Sequence, residues 1–102
     1  MRTSNDSIDE LAEVTFTQMV VASGLSEADV RELVRYGALV PRNPDASAWT
    51  FETRWIFAAR KASRLSREFE LDPHGVSVVM SFLERIESLE AELRAVRAQL
   101  GR

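Results

Sequence analysis

Cysteine is absent from the chain, which excludes disulfides, thiolate metal sites and cysteine nucleophiles. Histidine occurs once, at His74, with no acidic or nucleophilic partner evident beside it, and such a residue reads as part of a loop rather than as a base or ligand. There is no glycine-rich phosphate loop and no run with metal-ligand spacing, so the expectation is a non-enzymatic protein with no cofactor and no metal. The longest apolar runs, 19–22 and 55–59, are far shorter than the roughly 20 residues of a membrane span. The N-terminus is polar and acidic and lacks the basic-then-apolar layout of a secretory signal, so a cytoplasmic protein is expected. Lys61 is the one lysine, and no function follows from that.

A basic excess is also missing. The net charge is −3, which is not the bulk signature of a nucleic-acid binder. Residues 1–40 carry three Arg against seven acids, a net of −4. Residues 41–75 carry five Arg and one Lys against five acids, a net of +1, and residues 76–102 balance at four of each sign. The acidic excess therefore sits near the N-terminus.

With 102 residues, 45% of them hydrophobic, the chain has material for one domain with a modest core. That domain is organised around residues 16–51. Phe16-Thr17 opens a short helix over 18–23, with Thr17 as its cap and Phe16 stapled against Val21. Gly24 ends it, and Ser26 caps a second helix that runs to Tyr36 with Val30, Leu33 and Val34 as its buried stripe. Leu25 and Val30 take the staple positions, Asp29 takes the capping-box acid position, and Ala28, Arg31, Glu32 and Arg35 face outward. Gly37 and Pro41 stop this helix. Leu39-Val40 and Trp49-Thr50-Phe51 read as two short strands around a polar turn, with both aromatics packed on the helices. Two helices joined by a glycine turn, with a small hairpin behind them, make a winged helix-turn-helix.

Upstream, residues 1–13 read as a flexible acidic tail; the winged module and its following helix occupy 14–75, and a C-terminal helix occupies 76–102. The helix after the wing spans about 53–70, with Trp55, Ala59, Ala62, Leu65 and Phe69 on one face. Arg60, Arg64 and Arg67, beside Lys61, form a basic stripe diluted by Glu52, Glu68 and Glu70. Pro73 behind Asp72 is a helix-start signal. In the last helix Val79, Phe82, Ile86, Leu89, Leu93, Val96 and Leu100 alternate steps of three and four, an a/d heptad seam. Arg85 and Glu90, and Glu92 and Arg97, fall at flanking positions where opposite charges meet in a parallel pairing, although an antiparallel one stays open. A small module lacks the surface to cover the second half of this row, so a homodimer through the last helix is expected.

Taken together, Phe16-Thr17, Gly24-Leu25-Ser26, Val34, Gly37, Pro41-Arg42, Trp49-x-Phe51, Arg64-Leu65, Glu68, Leu71-Asp72 and Gly75-Val76 resemble the CbpM family of bacterial chaperone modulators. Those proteins look like shortened relatives of MerR-type winged-helix regulators. The resemblance implies a mainly α fold with a small β wing, two further helices, and one partner: the J-domain of the DnaJ-like co-chaperone CbpA. It further implies inhibition of that partner's stimulation of DnaK and of its DNA binding. A J-domain presents a basic helix, so the acids Glu27, Asp29 and Glu32 around the second helix are the candidate docking residues. The alternative is a MerR-type DNA-binding transcriptional regulator. It would set Arg31 and Arg35 in the major groove, Arg42 at the wing, and Arg60, Arg64 and Arg67 on phosphates.

Overall fold

The computed structural model describes residues 13–101. The proposed tail lies outside the described residues except for its last member, Glu13, which opens a strand. In chain order the elements are β1 (Glu13–Thr15), α1 (Phe16–Ser23), α2 (Glu27–Arg35), β2 (Thr50–Glu52), α3 (Trp55–Phe69) and α4 (Pro73–Leu100). The fold is mainly helical, with one two-stranded antiparallel sheet.

The first helix starts two residues earlier than expected. Thr15, not Thr17, is the N-cap: its hydroxyl accepts from the Gln18 amide at 3.1 Å, and the Gln18 side chain accepts from the Thr15 amide at 2.9 Å. This reciprocal box rotates the helix so that Met19 and Ser23 face the core. Val21 is left exposed, and the expected staple between Phe16 and Val21 is absent. Gly24 then adopts φ +81°, a left-handed conformation that favours glycine at a helix end.

For α2 the expected cap, apolar core residues and glycine stop hold, while Asp29 does not close a capping box. The Ser26 hydroxyl accepts from the Asp29 amide at 3.0 Å, Leu25, Val30 and Leu33 are buried, and Gly37 follows the helix at φ +82°. Leu39 is buried directly behind it.

The wing is built differently from the expected hairpin. β2 pairs with β1, not with Leu39-Val40, in the register Glu13↔Glu52, Val14↔Phe51 and Thr15↔Thr50. Proline supplies no amide to a ladder, and Pro41 is buried beside Leu39, so that segment serves as packing rather than as a strand. One bond, from the Arg42 amide to the Thr50 carbonyl at 2.8 Å, ties it to β2. Asn43 closes the intervening loop, giving its side-chain amide to Ala48 and accepting from the Thr50 amide.

Phe51 is fully buried at the centre of the core, with Met19, Leu33, Ala59, Ala62 and Val76 from the helices around it. Trp49 is half-buried, edge-on to Phe51 and to Phe16. Along α3 the expected apolar face holds from Trp55 through Leu65 but fails at Phe69, which is exposed. The chain reverses at Glu70, which takes φ 54°, and Leu71 rather than Phe69 folds under the core edge. The long helix begins at Pro73, as the Asp72-Pro73 start signal indicates and three residues before the domain boundary at 76, with the Asp72 carboxylate accepting from the Gly75 amide at 2.8 Å. His74 is therefore in its first turn and not in a loop.

Candidate partner-binding surface

The acids expected to dock a partner share α2. Glu27 is exposed, Asp29 is half-buried, and Glu32 forms an ion pair with Arg35 at 3.3 Å. Glu27 and Asp29 have no basic partner among the described residues. Both stand in the first turn, where negative charge meets the positive end of the helix dipole.

The arginines assigned to a DNA reading are dispersed and largely engaged. The Arg31 guanidinium lies over the Phe16 ring, 4.6 Å from its centroid, while Arg35 lies over Tyr36 and pairs with Glu32. Arg42 approaches Glu13 at 3.9 Å. In the α3 stripe, Arg60 donates from Nε to the Ala22 carbonyl at 3.0 Å and Arg67 donates to the Ser63 hydroxyl, leaving Arg64 exposed between them. Lys61 approaches Glu87 of α4 at 3.9 Å. Of the three α3 arginines, Arg60 thus joins α3 to α1, whereas Arg67 bonds within its own helix.

The heptad residues occupy one line along α4. Val79 is half-buried, whereas Phe82, Ile86, Leu89, Leu93, Val96 and Leu100 are each at least 48% exposed. Val76 and Met80, on the other side of the helix, face the core. The seam turns outward from Phe82.

Three features escape the sequence. The β1–β2 pairing joins residues 35 to 39 apart, although the β-branched Val14 and Thr15 were its available signal. Tyr36 and His74 stack at 4.8 Å, joining the end of α2 to the start of α4. A cavity of about 310 Å³ lies between the wing loop and the first two helices, lined by Thr15, Phe16, Thr17, Arg31, Ser47, Ala48, Trp49 and Thr50. Its signal was the Thr15-x-x-Gln18 capping box, which fixes Phe16 against Trp49.

Glu52, on the exposed side of the sheet, has the one resolved shift of acidity among the described residues. A hydrogen bond from Arg54 holds its carboxyl below the usual glutamate range, the Arg54 charge adds to this, and Arg42 contributes further. No group of three or more potential metal ligands occurs among the described residues, and no helix there is long and apolar enough to cross a membrane.

Residues 14–98 match the MerR HTH family regulatory protein family. The chain is also similar to the chaperone modulatory protein CbpM of Escherichia coli strain K12/DH10B, of Escherichia coli O157:H7 strain EC4115 and of Shigella boydii serotype 18. In each case it is 31% identical over 88 residues, covering 86% of this chain and 87% of the relative. A likeness of that extent, from the first strand almost to the end of the long helix, places the chain in the CbpM family of MerR-type helix-turn-helix proteins.

Proposed function

We propose that this protein is a chaperone modulator: it binds the J-domain of a CbpA/DnaJ-like co-chaperone and thereby restrains both DnaK stimulation and DNA binding by that partner. The observation that carries the reading is the 31% identity, over 86% of the chain, to proteins named for modulating a chaperone. The first-turn acids Glu27 and Asp29, with Glu32 behind them, offer negative charge to the basic helix that a J-domain presents to DnaK. Occupying that helix excludes DnaK by competition, with no chemistry required. Attraction between such surfaces speeds association and weakens with salt.

The working unit in this reading is a homodimer joined through α4, in the cytoplasm of a bacterium. Its support is the exposed apolar row from Phe82 to Leu100.

Calorimetric titration with the isolated J-domain of a CbpA-like protein, at low and moderate salt, tests the reading. A saturable complex that weakens with salt is expected. The joint change Glu27→Gln, Asp29→Asn and Glu32→Gln should weaken it about tenfold or more at low salt and flatten the salt dependence. No complex with a folded sample would reject the modulator reading. An unchanged affinity in the triple variant would move the docking surface off α2. The match to MerR regulators favours a second reading, DNA binding through Arg31, Arg35 and Arg42. Against it stand Arg35 and Arg42, which face Glu32 and Glu13.

A further inference from the structure

The cavity beside Trp49 has the make-up of a receptor for one acidic side chain. Phe16 and Trp49 meet edge to face, with centroids 6.1 Å apart, and supply apolar wall. The Trp49 indole N–H is already committed to the Pro44 carbonyl at 3.2 Å, so its ring contributes surface rather than a donor. Arg31 is the only charged residue lining the cavity, and no acid pairs with it among the described residues. Its guanidinium is laid over Phe16. Stacking of this kind fixes the plane of the fork and leaves the edge N–H groups to take a carboxylate in a bidentate manner. Thr17 and Ser47 stand at the same rim, and neither hydroxyl makes a hydrogen bond among the described residues.

From this geometry we infer that the cavity receives an aspartate or glutamate of a partner polypeptide, the carboxylate on Arg31 and an adjacent apolar residue over Phe16 and Trp49. A duplex fits the site poorly. Its affinity rests on several neutralised phosphates, whereas this cavity offers one cation, with Glu27 and Glu32 on the same helix to repel a polyanion. A small free ligand also fits poorly, because no buried polar group is aimed into the cavity to fix its orientation. The cavity shares α2 with the acids Glu27, Asp29 and Glu32 but takes its partner through Arg31, which lines it where they do not, and it stands whether or not the partner is a J-domain.

The test is a nitrogen-15 NMR titration of the full chain with acetyl-(Leu-Asp)3-amide, and with acetyl-(Leu-Asn)3-amide as the uncharged control. The Trp49 indole and Arg31 Nε–H signals are followed, with the Trp55 indole as internal reference. The aspartate peptide should move Trp49 and Arg31 saturably and leave Trp55 in place. The asparagine peptide should bind about tenfold more weakly, as should the aspartate peptide to Arg31→Gln, because a charge-assisted pair is lost in each. Arg31→Lys should fall between, retaining charge without the fork. Equal affinity for the two peptides, undiminished binding by Arg31→Gln, or static Trp49 and Arg31 signals in the folded chain would each overturn the inference. Tighter binding of a short DNA duplex to the same two signals at physiological salt would overturn it in favour of nucleic acid.

Discussion

Glu13 and Glu52 face each other across the two-stranded sheet, a placement that sets like charges together. The structure answers with cations from two directions: Arg42 approaches Glu13, and Arg54 donates to Glu52. Glu13 also accepts from the Thr50 hydroxyl at 2.7 Å. The consequence at Glu52 is a carboxyl held below its ordinary range, first by the hydrogen bond from Arg54 and next by its charge. A folded-state value below the unfolded one means that the group contributes stability above its unfolded value. The contribution is lost as pH falls through the folded value. Carboxyl-carbon NMR should therefore place the Glu52 midpoint below that of a free glutamate, and Arg54→Gln should raise it. A midpoint unmoved by Arg54→Gln would assign the shift to Arg42 or the strand itself. Because the pair is solvent-exposed, high salt should shrink the shift.

The start of α1 decides how the sheet meets the helices, because Thr15 is both the last residue of β1 and the helix cap. Thr15→Ala removes the acceptor for the Gln18 amide and should lower unfolding free energy by about 1 kcal/mol, with Thr15→Ser restoring most of it. Thr17→Ala should change little, since the Thr17 hydroxyl caps nothing. Urea denaturation at one protein concentration separates the two; a loss at Thr17 equal to that at Thr15 would return the cap to Thr17. Both threonines are competent helix caps, so local preference alone did not choose between them. The choice was made by Gln18, three residues past Thr15, and by the strand pairing that fixes Thr15 as extended. Ser26, Gly37 and Asp72-Pro73 were readable because each starts or ends a helix through its own neighbours. The β1–β2 ladder and the Phe69 exposure were not, since one depends on a partner far along the chain and the other on where the chain reverses at Glu70. The same distinction governs the candidate sites. The α2 acids and the α4 seam are periodic on one helix and can be read from spacing. The Arg31 cavity needs two helices and a loop to be brought together.

The molecule is more extended than a domain of its size. Its radius of gyration is 16.6 Å, against about 13 Å for a compact chain of about 100 residues. The excess comes from α4, whose 28 residues make a rod of about 42 Å. Val76 and Met80 anchor its early turns in the core, and Lys61 reaches Glu87 near its middle. Beyond that point every side chain from Glu87 to Leu100 is exposed. A lone helix that carries Leu89, Leu93, Val96 and Leu100 into water leaves uncollected about 1.5–3 kcal/mol for each side chain that could be fully buried. Pairing with a second copy is the direct remedy, since the same row on both partners is self-complementary about a two-fold axis. Leu93→Asp would put a carboxylate in the middle of the seam, where burial without a partner charge is costly. Sedimentation equilibrium should then shift from dimer to monomer, while far-ultraviolet circular dichroism stays near wild type because Leu93 is exposed and outside the core. Val21→Asp, at a still more exposed apolar residue off the seam, should leave the sedimentation profile unchanged. Sedimentation unchanged by Leu93→Asp would mean that α4 does not pair through its heptad row, and the surface from Phe82 onward would then have to be covered by a different protein.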